Sequence, residues 1–131
     1  MRLGIVVQRY GLEVNGGAEM QCRQIAERMA RRMDVEVITT RAQDYYTWRN
    51  VYPEGMDAVN GIPVRRFSVR RERDMRAFNG FSEKLLAGPH SQFDEVRWME
   101  LQGPDAPDLF RYLETDGGRY DALLFSTYLY A

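Results

Sequence analysis

A doubly wound α/β fold, one parallel sheet with helices on both faces, is what this sequence predicts, and three observations carry it. Leu3 to Val7 is a short apolar run rich in β-branched residues, without polar alternation, which suits a strand buried on both faces. Cys22, Ile25, Ala26, Met29, Ala30 and Met33 then recur at spacings of three and four, the stripe of an amphipathic helix. Val35 to Thr40 follows with the alternation of a second strand. Strand, helix and strand within about 40 residues make a right-handed βαβ unit.

The remaining elements follow in order. Positions 41–56, RAQDYYTWRNVYPEGM, read as a long polar and aromatic loop. Long loops in compact domains are often functional, and a flap of Tyr45, Tyr46, Trp48 and Tyr52 packed on the surface is the equal alternative. Asn60-Gly61 is a turn signal. Ile62 to Val69 is a third strand, in which Pro63 is compatible with a central place only at the start. The charged run at 70–76 reads as a solvated approach to a helix over Met75–Leu86. Gln92–Gln102 is the next helix, stopped by Gly103-Pro104. Pro107–Glu114 is another, with Asp105 or Asp108 as its expected cap and Gly117-Gly118 at its end. Tyr120 to Phe125 is the fourth strand. The expected sheet is parallel over Leu3–Val7, Val35–Thr39, Val64–Phe67 and Ala122–Phe125, its first strand interior between the second and the fourth.

Composition narrows the class. The 131 residues suit one domain able to bury roughly two-thirds of its unfolded surface. A hydrophobic share of 44% and a charged share of 28% belong to an ordinary globular protein. The formal net charge of -1 gives no general attraction to nucleic acid or membrane. Cys22 is the single cysteine, so no internal disulfide forms, and its place on the apolar stripe marks it as core rather than nucleophile. No apolar stretch is long enough to span a bilayer, and none at the N-terminus makes a signal-peptide core. The expected location is cytoplasmic, free or peripheral at the inner face of the membrane.

Between first strand and first helix lies Asn15-Gly16-Gly17-Ala18-Glu19. Ligands in open α/β sheets sit beyond the carboxyl ends of the strands, where this loop falls. Glycines admit a ligand close to the backbone, and the free N–H groups of a first helical turn favour an anion. A plain turn is the alternative, with Glu19 returning to a free N–H as in a capping box. The loop is neither a G-x-G-x-x-G fingerprint nor a P-loop.

With these residues together, the chain resembles the N-terminal domain of GT-B fold retaining glycosyltransferases, closest to family 4 (group 1). The resemblance rests on Asn15 to Glu19 with the helix through Ala30, on Val37 to Thr40, on Asn60 to Phe67 and on Tyr120 to Tyr128, in that order and spacing. It implies a single Rossmann-like domain over residues 1–131, the incomplete acceptor-side part of a longer two-domain enzyme whose missing C-terminal domain holds most of the donor. It implies transfer of a hexose from a nucleotide-sugar donor to a carbohydrate, lipid or other hydroxyl acceptor, with retention of configuration. Gly16 and Gly17 would meet the donor phosphates. The leaving phosphate would help deprotonate the acceptor, without a metal or other cofactor. His90 does not match the family's histidine, so no catalytic residue is expected within this chain.

Arg9 and Tyr10 after the first strand, Asn15 in the loop and Tyr128 after the fourth strand are the expected acceptor contacts, with surface packing the alternative. Gly17 is expected to hold a backbone conformation costly to other residues. No metal-ligand spacing is present, and no nucleic-acid partner is expected. Alone, the chain is expected not to transfer sugar, and its uncovered surface to drive self-association. Two alternatives compete: another nucleotide- or cofactor-binding doubly wound enzyme, and a non-catalytic binding domain using the aromatic loop 45–52.

Overall fold

The computed structural model describes residues 1–126. Five strands form one sheet: β1 (Arg2–Val6), β2 (Asp34–Thr40), β3 (Gly55–Val59), β4 (Ile62–Phe67) and β5 (Ala122–Phe125). Their order is β3-β4-β2-β1-β5. β1 is interior, parallel to β2 on one side and to β5 on the other, as its unbroken apolar run requires. β2 is also parallel to β4.

The sheet is mixed rather than wholly parallel, because β3 runs antiparallel to β4 at the edge. The stretch read as loop to Met56 therefore ends inside a strand. Asn60 and Gly61, both at positive φ (50° and 77°), form the two-residue turn between β3 and β4. That pairing of an Asn-Gly dipeptide with a twisted hairpin follows from backbone twist. Pro63 pairs only toward β3, and the ladder to β2 begins one residue later at Val64, so the proline sits at the start of its strand.

Helices cover both faces. α1 (Gly17–Met29) buries Cys22 and Ala26 against Leu3, Ile5, Val35, Val37 and Val64. Burial pushes the Cys22 thiol up to about 11, so it is an inert core group. Ile25, on the predicted stripe, remains 37% exposed. α2 (Met75–Ala87) and α3 (Gln92–Gln102) form a hairpin held by the Phe78 and Trp98 rings and by Trp98 Nε1–H donating to Ser82 Oγ at 2.7 Å. α4 (Pro107–Asp116) packs Leu109 on Val6 and Ile38 at the opposite face. Neither aspartate caps α4: Ala106 holds the cap position, Asp105 pairs with Arg70 and Arg71, and Asp108 with Arg111.

Under α4 the central strand carries a buried charge. Glu36 pairs with Arg65 at 3.1 Å and Arg2 at 3.7 Å, and accepts from the Tyr120 hydroxyl, which shares a 2.7 Å hydrogen bond with Tyr112. Gly4, beside Glu36 in the ladder, makes room for this cluster: a Cβ there would lie 2.7 Å from Leu123 and 3.1 Å from the Tyr120 ring. Removing one partner of a buried pair leaves the others unsatisfied. Glu36→Ala should cost roughly 2–3 kcal/mol, below the figure for fully buried pairs because Arg65 still reaches solvent. Glu36→Gln, which keeps the shape and an acceptor, should cost less than half of that. Urea unfolding midpoints check the ordering, and an alanine variant as stable as the parent would refute it.

Candidate functional site at the carboxyl ends of the first two strands

β1 and β2 end side by side, and the side chain of Thr40 ties the chain leaving each. Its Oγ1–H donates to the Gln8 carbonyl at 2.6 Å, and its Oγ1 accepts from the Ala42 amide at 3.1 Å. Arg9 then joins three segments. Its Nε donates to Glu19 at 3.0 Å in the first turn of α1, its Nη1 to the Gln43 carbonyl at 3.0 Å, and its Nη2 to the Asn15 carbonyl at 2.7 Å. The guanidinium also lies over the Tyr45 ring, 5.0 Å from its centre. A buried guanidinium requires a counter-charge and acceptors, and Arg9 has both. This answers where Glu19 goes: it pairs with Arg9 instead of closing a capping box, and α1 has no side-chain cap.

The helix start is consequently open. The first amide of α1 to find an acceptor is that of Met20, on the Gly16 carbonyl at 2.9 Å. Those of Gly17, Ala18 and Glu19 have none among the described residues. The conformational constraint belongs to Gly16, not to Gly17 as the sequence suggested. Gly16 has φ 152° and ψ 143°, a region that only glycine occupies without strain. A Cβ there would collide with Glu19 Oε2 and lie 3.1 Å from Arg9 Nη2. Gly17 begins the helix, and a Cβ on it would meet nothing within 4 Å.

Residues 41–52 form an ordered rim in which Tyr45 and Tyr46 pack at the surface while Trp48 is buried. Asp44 accepts from the Tyr46 amide at 2.9 Å, the Thr47 amide at 2.8 Å and the Thr47 hydroxyl. Burial works to raise its carboxyl, but these hydrogen bonds prevail and hold it below the usual range. Trp48 is 1% exposed and donates from Nε1 to the Gln102 carbonyl at 2.9 Å. Tyr52 lies under the Arg66 guanidinium at 3.9 Å and donates its hydroxyl to Glu13 at 2.7 Å. That bond keeps the Glu13 carboxyl low, while burial and the same bond push the Tyr52 phenol up to about 12. Tyr45 and Tyr46 stay at the surface with stacked rings, centres 4.3 Å apart.

Together these residues border a cleft of about 400 Å³, lined by Arg9, Glu13, Asn15, Gln43, Asp44, Tyr45, Tyr46 and Val51. Of the expected acceptor contacts, Asn15 is exposed on it. Arg9 contributes to the lining, but its side chain is only 8% exposed and serves the loop. Tyr10 is wholly buried in the core beneath α1, and burial drives its phenol far above the ordinary range. Tyr128 lies outside the described residues. Glu13, Gln43 and Asp44 were not singled out by the sequence; their only signal was membership of loops that follow β1 and β2. His90 is exposed and not among the cleft residues, bonded to Glu95 at 3.0 Å, which raises its pKa, and to the Leu85 and Gly88 carbonyls at the end of α2.

The fold and site define an α/β protein compatible with a Rossmann-like arrangement, with a polar cleft at the strand ends. No family model, no curated protein and no solved structure matches the chain. Among the described residues no helix is long and apolar enough to cross a membrane, and no group of three or more His, Cys, Asp or Glu side chains is placed to hold a metal.

Proposed function

We propose that this chain is the acceptor-side part of a GT-B type retaining glycosyltransferase similar to family 4. The observation that carries the reading is the glycine loop, which leaves β1 at its carboxyl end and delivers three unpaired amides at the start of α1 beside an open surface at Gly17. An anion is favoured at such a helix start by roughly 0.3–1 kcal/mol where it is exposed. In this reading Gly17 and Ala18 donate to the phosphates of a nucleotide sugar held mainly by another domain. The acceptor hydroxyl approaches from the cleft at 9–15 and 43–46. The leaving phosphate takes the acceptor's proton on the face from which it departs, which retains configuration. Leu124 and Phe125, 41% and 60% exposed on the edge strand β5, are apolar surface of the sort that further sheet and helix would cover.

The test is a titration of the isotope-labelled chain with uridine diphosphate and guanosine diphosphate, read by amide NMR. Saturable shifts at Gly16 to Glu19 in the low-millimolar range are expected. Amides that stay unmoved for both nucleotides would overturn the donor-loop role. The chain alone should show no transfer from a nucleotide sugar, since orientation of both substrates supplies much of the rate. Measurable transfer would refute its reading as a part. Sedimentation at several concentrations tests whether the exposed β5 surface drives self-association.

A further inference from the structure

The geometry points to a neutral carbohydrate as the occupant of the cleft formed by Glu13, Asn15, Gln43, Asp44, Tyr45 and Tyr46. As the naming of an acceptor this rests on the transferase reading; as a binding assignment it is tested separately.

Three features of the cleft select this class. The first is the stacked tyrosine pair, which stays 39% and 56% exposed although Trp48, two residues on, is buried. An aromatic face carries partial negative charge and is matched by the polarised C–H face of a pyranose ring. The Asp44 turn and the Arg9 guanidinium hold the tyrosines in place, so little ordering remains to oppose binding. The second is hydrogen-bonding chemistry. The Asn15 and Gln43 carboxamides each offer donors and an acceptor and have no side-chain partner among the described residues. Vicinal hydroxyls need groups that both give and accept, at the rim of a pocket with an apolar wall.

The third feature is charge, and it separates sugars from their acidic derivatives. The lining has one guanidinium against two carboxylates, Glu13 and Asp44. All three nitrogens of that guanidinium are occupied, one of them by the additional carboxylate of Glu19. Each terminal nitrogen keeps a second N–H, but the Arg9 side chain is only 8% exposed and so presents little cationic surface to a phosphate or a uronate, and Glu13, whose acidity the Tyr52 hydroxyl increases, stands ready to repel either. The nucleotide phosphates are thereby directed to the amides of α1, and the uncharged partner to the cleft.

The experiment titrates the labelled chain with the methyl glycosides of glucose, mannose, galactose and N-acetylglucosamine, and separately with glucose 6-phosphate and glucuronate. At least one neutral glycoside should shift the Asn15 and Gln43 side-chain amides saturably, and the two anions should bind more weakly. Tyr46→Ala, at an exposed position, should weaken neutral binding roughly tenfold. Glu13→Gln should strengthen the binding of the anions relative to that of the neutral glycosides. Absence of glycoside binding, anions that bind as well as neutral sugars to the parent, or an unaffected Tyr46→Ala would each overturn the assignment. A response to uridine diphosphate at Gly17 without any glycoside response overturns the cleft assignment alone. Glycoside binding without a nucleotide response supports the cleft and overturns the donor loop.

Discussion

Trp48→Ala should destabilise the chain by about 3–5 kcal/mol, a large share of the stability of a domain this size. The indole is 1% exposed and forms a small cluster with Ala42 and Val69, separate from the two clusters that flank the sheet. Its removal leaves the Gln102 carbonyl without the indole donor and opens space beside Gly103, where a Cβ would lie only 3.1 Å from the ring. It also removes the ring beneath Arg73, which ties the same loop through the Thr47 and Tyr46 carbonyls at 2.7 and 3.0 Å. Trp48→Phe, which keeps one aromatic ring but loses the hydrogen bond and part of the buried ring volume, should cost about 1–2 kcal/mol. Denaturant unfolding followed by circular dichroism measures both, with Trp98 as an independent fluorescent reporter. Because Trp48 holds the segment that carries Tyr45 and Tyr46, Trp48→Ala should also lose glycoside binding under conditions where the sheet stays folded. An alanine variant that costs less than about 1 kcal/mol would mean that the rim is held by something other than the indole.

What could be read from the sequence follows the strength of local pattern. β1 was legible from its unbroken apolar run, β2 from its β-branched residues and α1 from its apolar stripe, whereas α3, which forms no such stripe, was bounded by the Gly103-Pro104 stop. β3 was not. Gly55-Met56-Asp57-Ala58-Val59 has little apolar alternation in sequence and a single buried residue, Val59, so only the Asn60-Gly61 turn announced the hairpin. The capping expectations failed where a stronger partner competed. Glu19 and Asp105 have helix ends within reach, yet each takes a guanidinium, since a charge-assisted hydrogen bond outweighs a neutral one. Tyr10 looked like a strand-end contact, and tertiary packing folds it under α1. The cleft was only half visible: loop position named Asn15 and the aromatic segment, but which tyrosine faces outward depends on Asp44 and Trp48 fixing the turn between them.

Gly16→Val and Gly17→Val should fail in different ways, and the contrast decides what the glycine loop is for. At Gly16 a side chain must adopt φ near 152°, at a cost on the order of 1–3 kcal/mol for strain alone. It also collides with Glu19 and presses on Arg9, breaking a partly buried ion pair that joins β1, α1 and the rim. A total loss of roughly 2–4 kcal/mol is expected, visible as a lower melting temperature and a disturbed cleft. At Gly17 neither penalty applies, because the position is open and its φ is not positive. Its melting should stay close to that of the parent, with a change within about 0.5 kcal/mol. The branched side chain nevertheless stands beside the free amides of the first turn, in the space a phosphate oxygen would take. Gly17→Val should therefore lose the uridine diphosphate response while keeping its stability and its glycoside binding. Should it bind the nucleotide like the parent, the loop is a turn and its phosphate role falls. Should Gly16→Val melt with the parent, the strain assigned to that position is wrong and the Arg9–Glu19 pair is not what holds the loop.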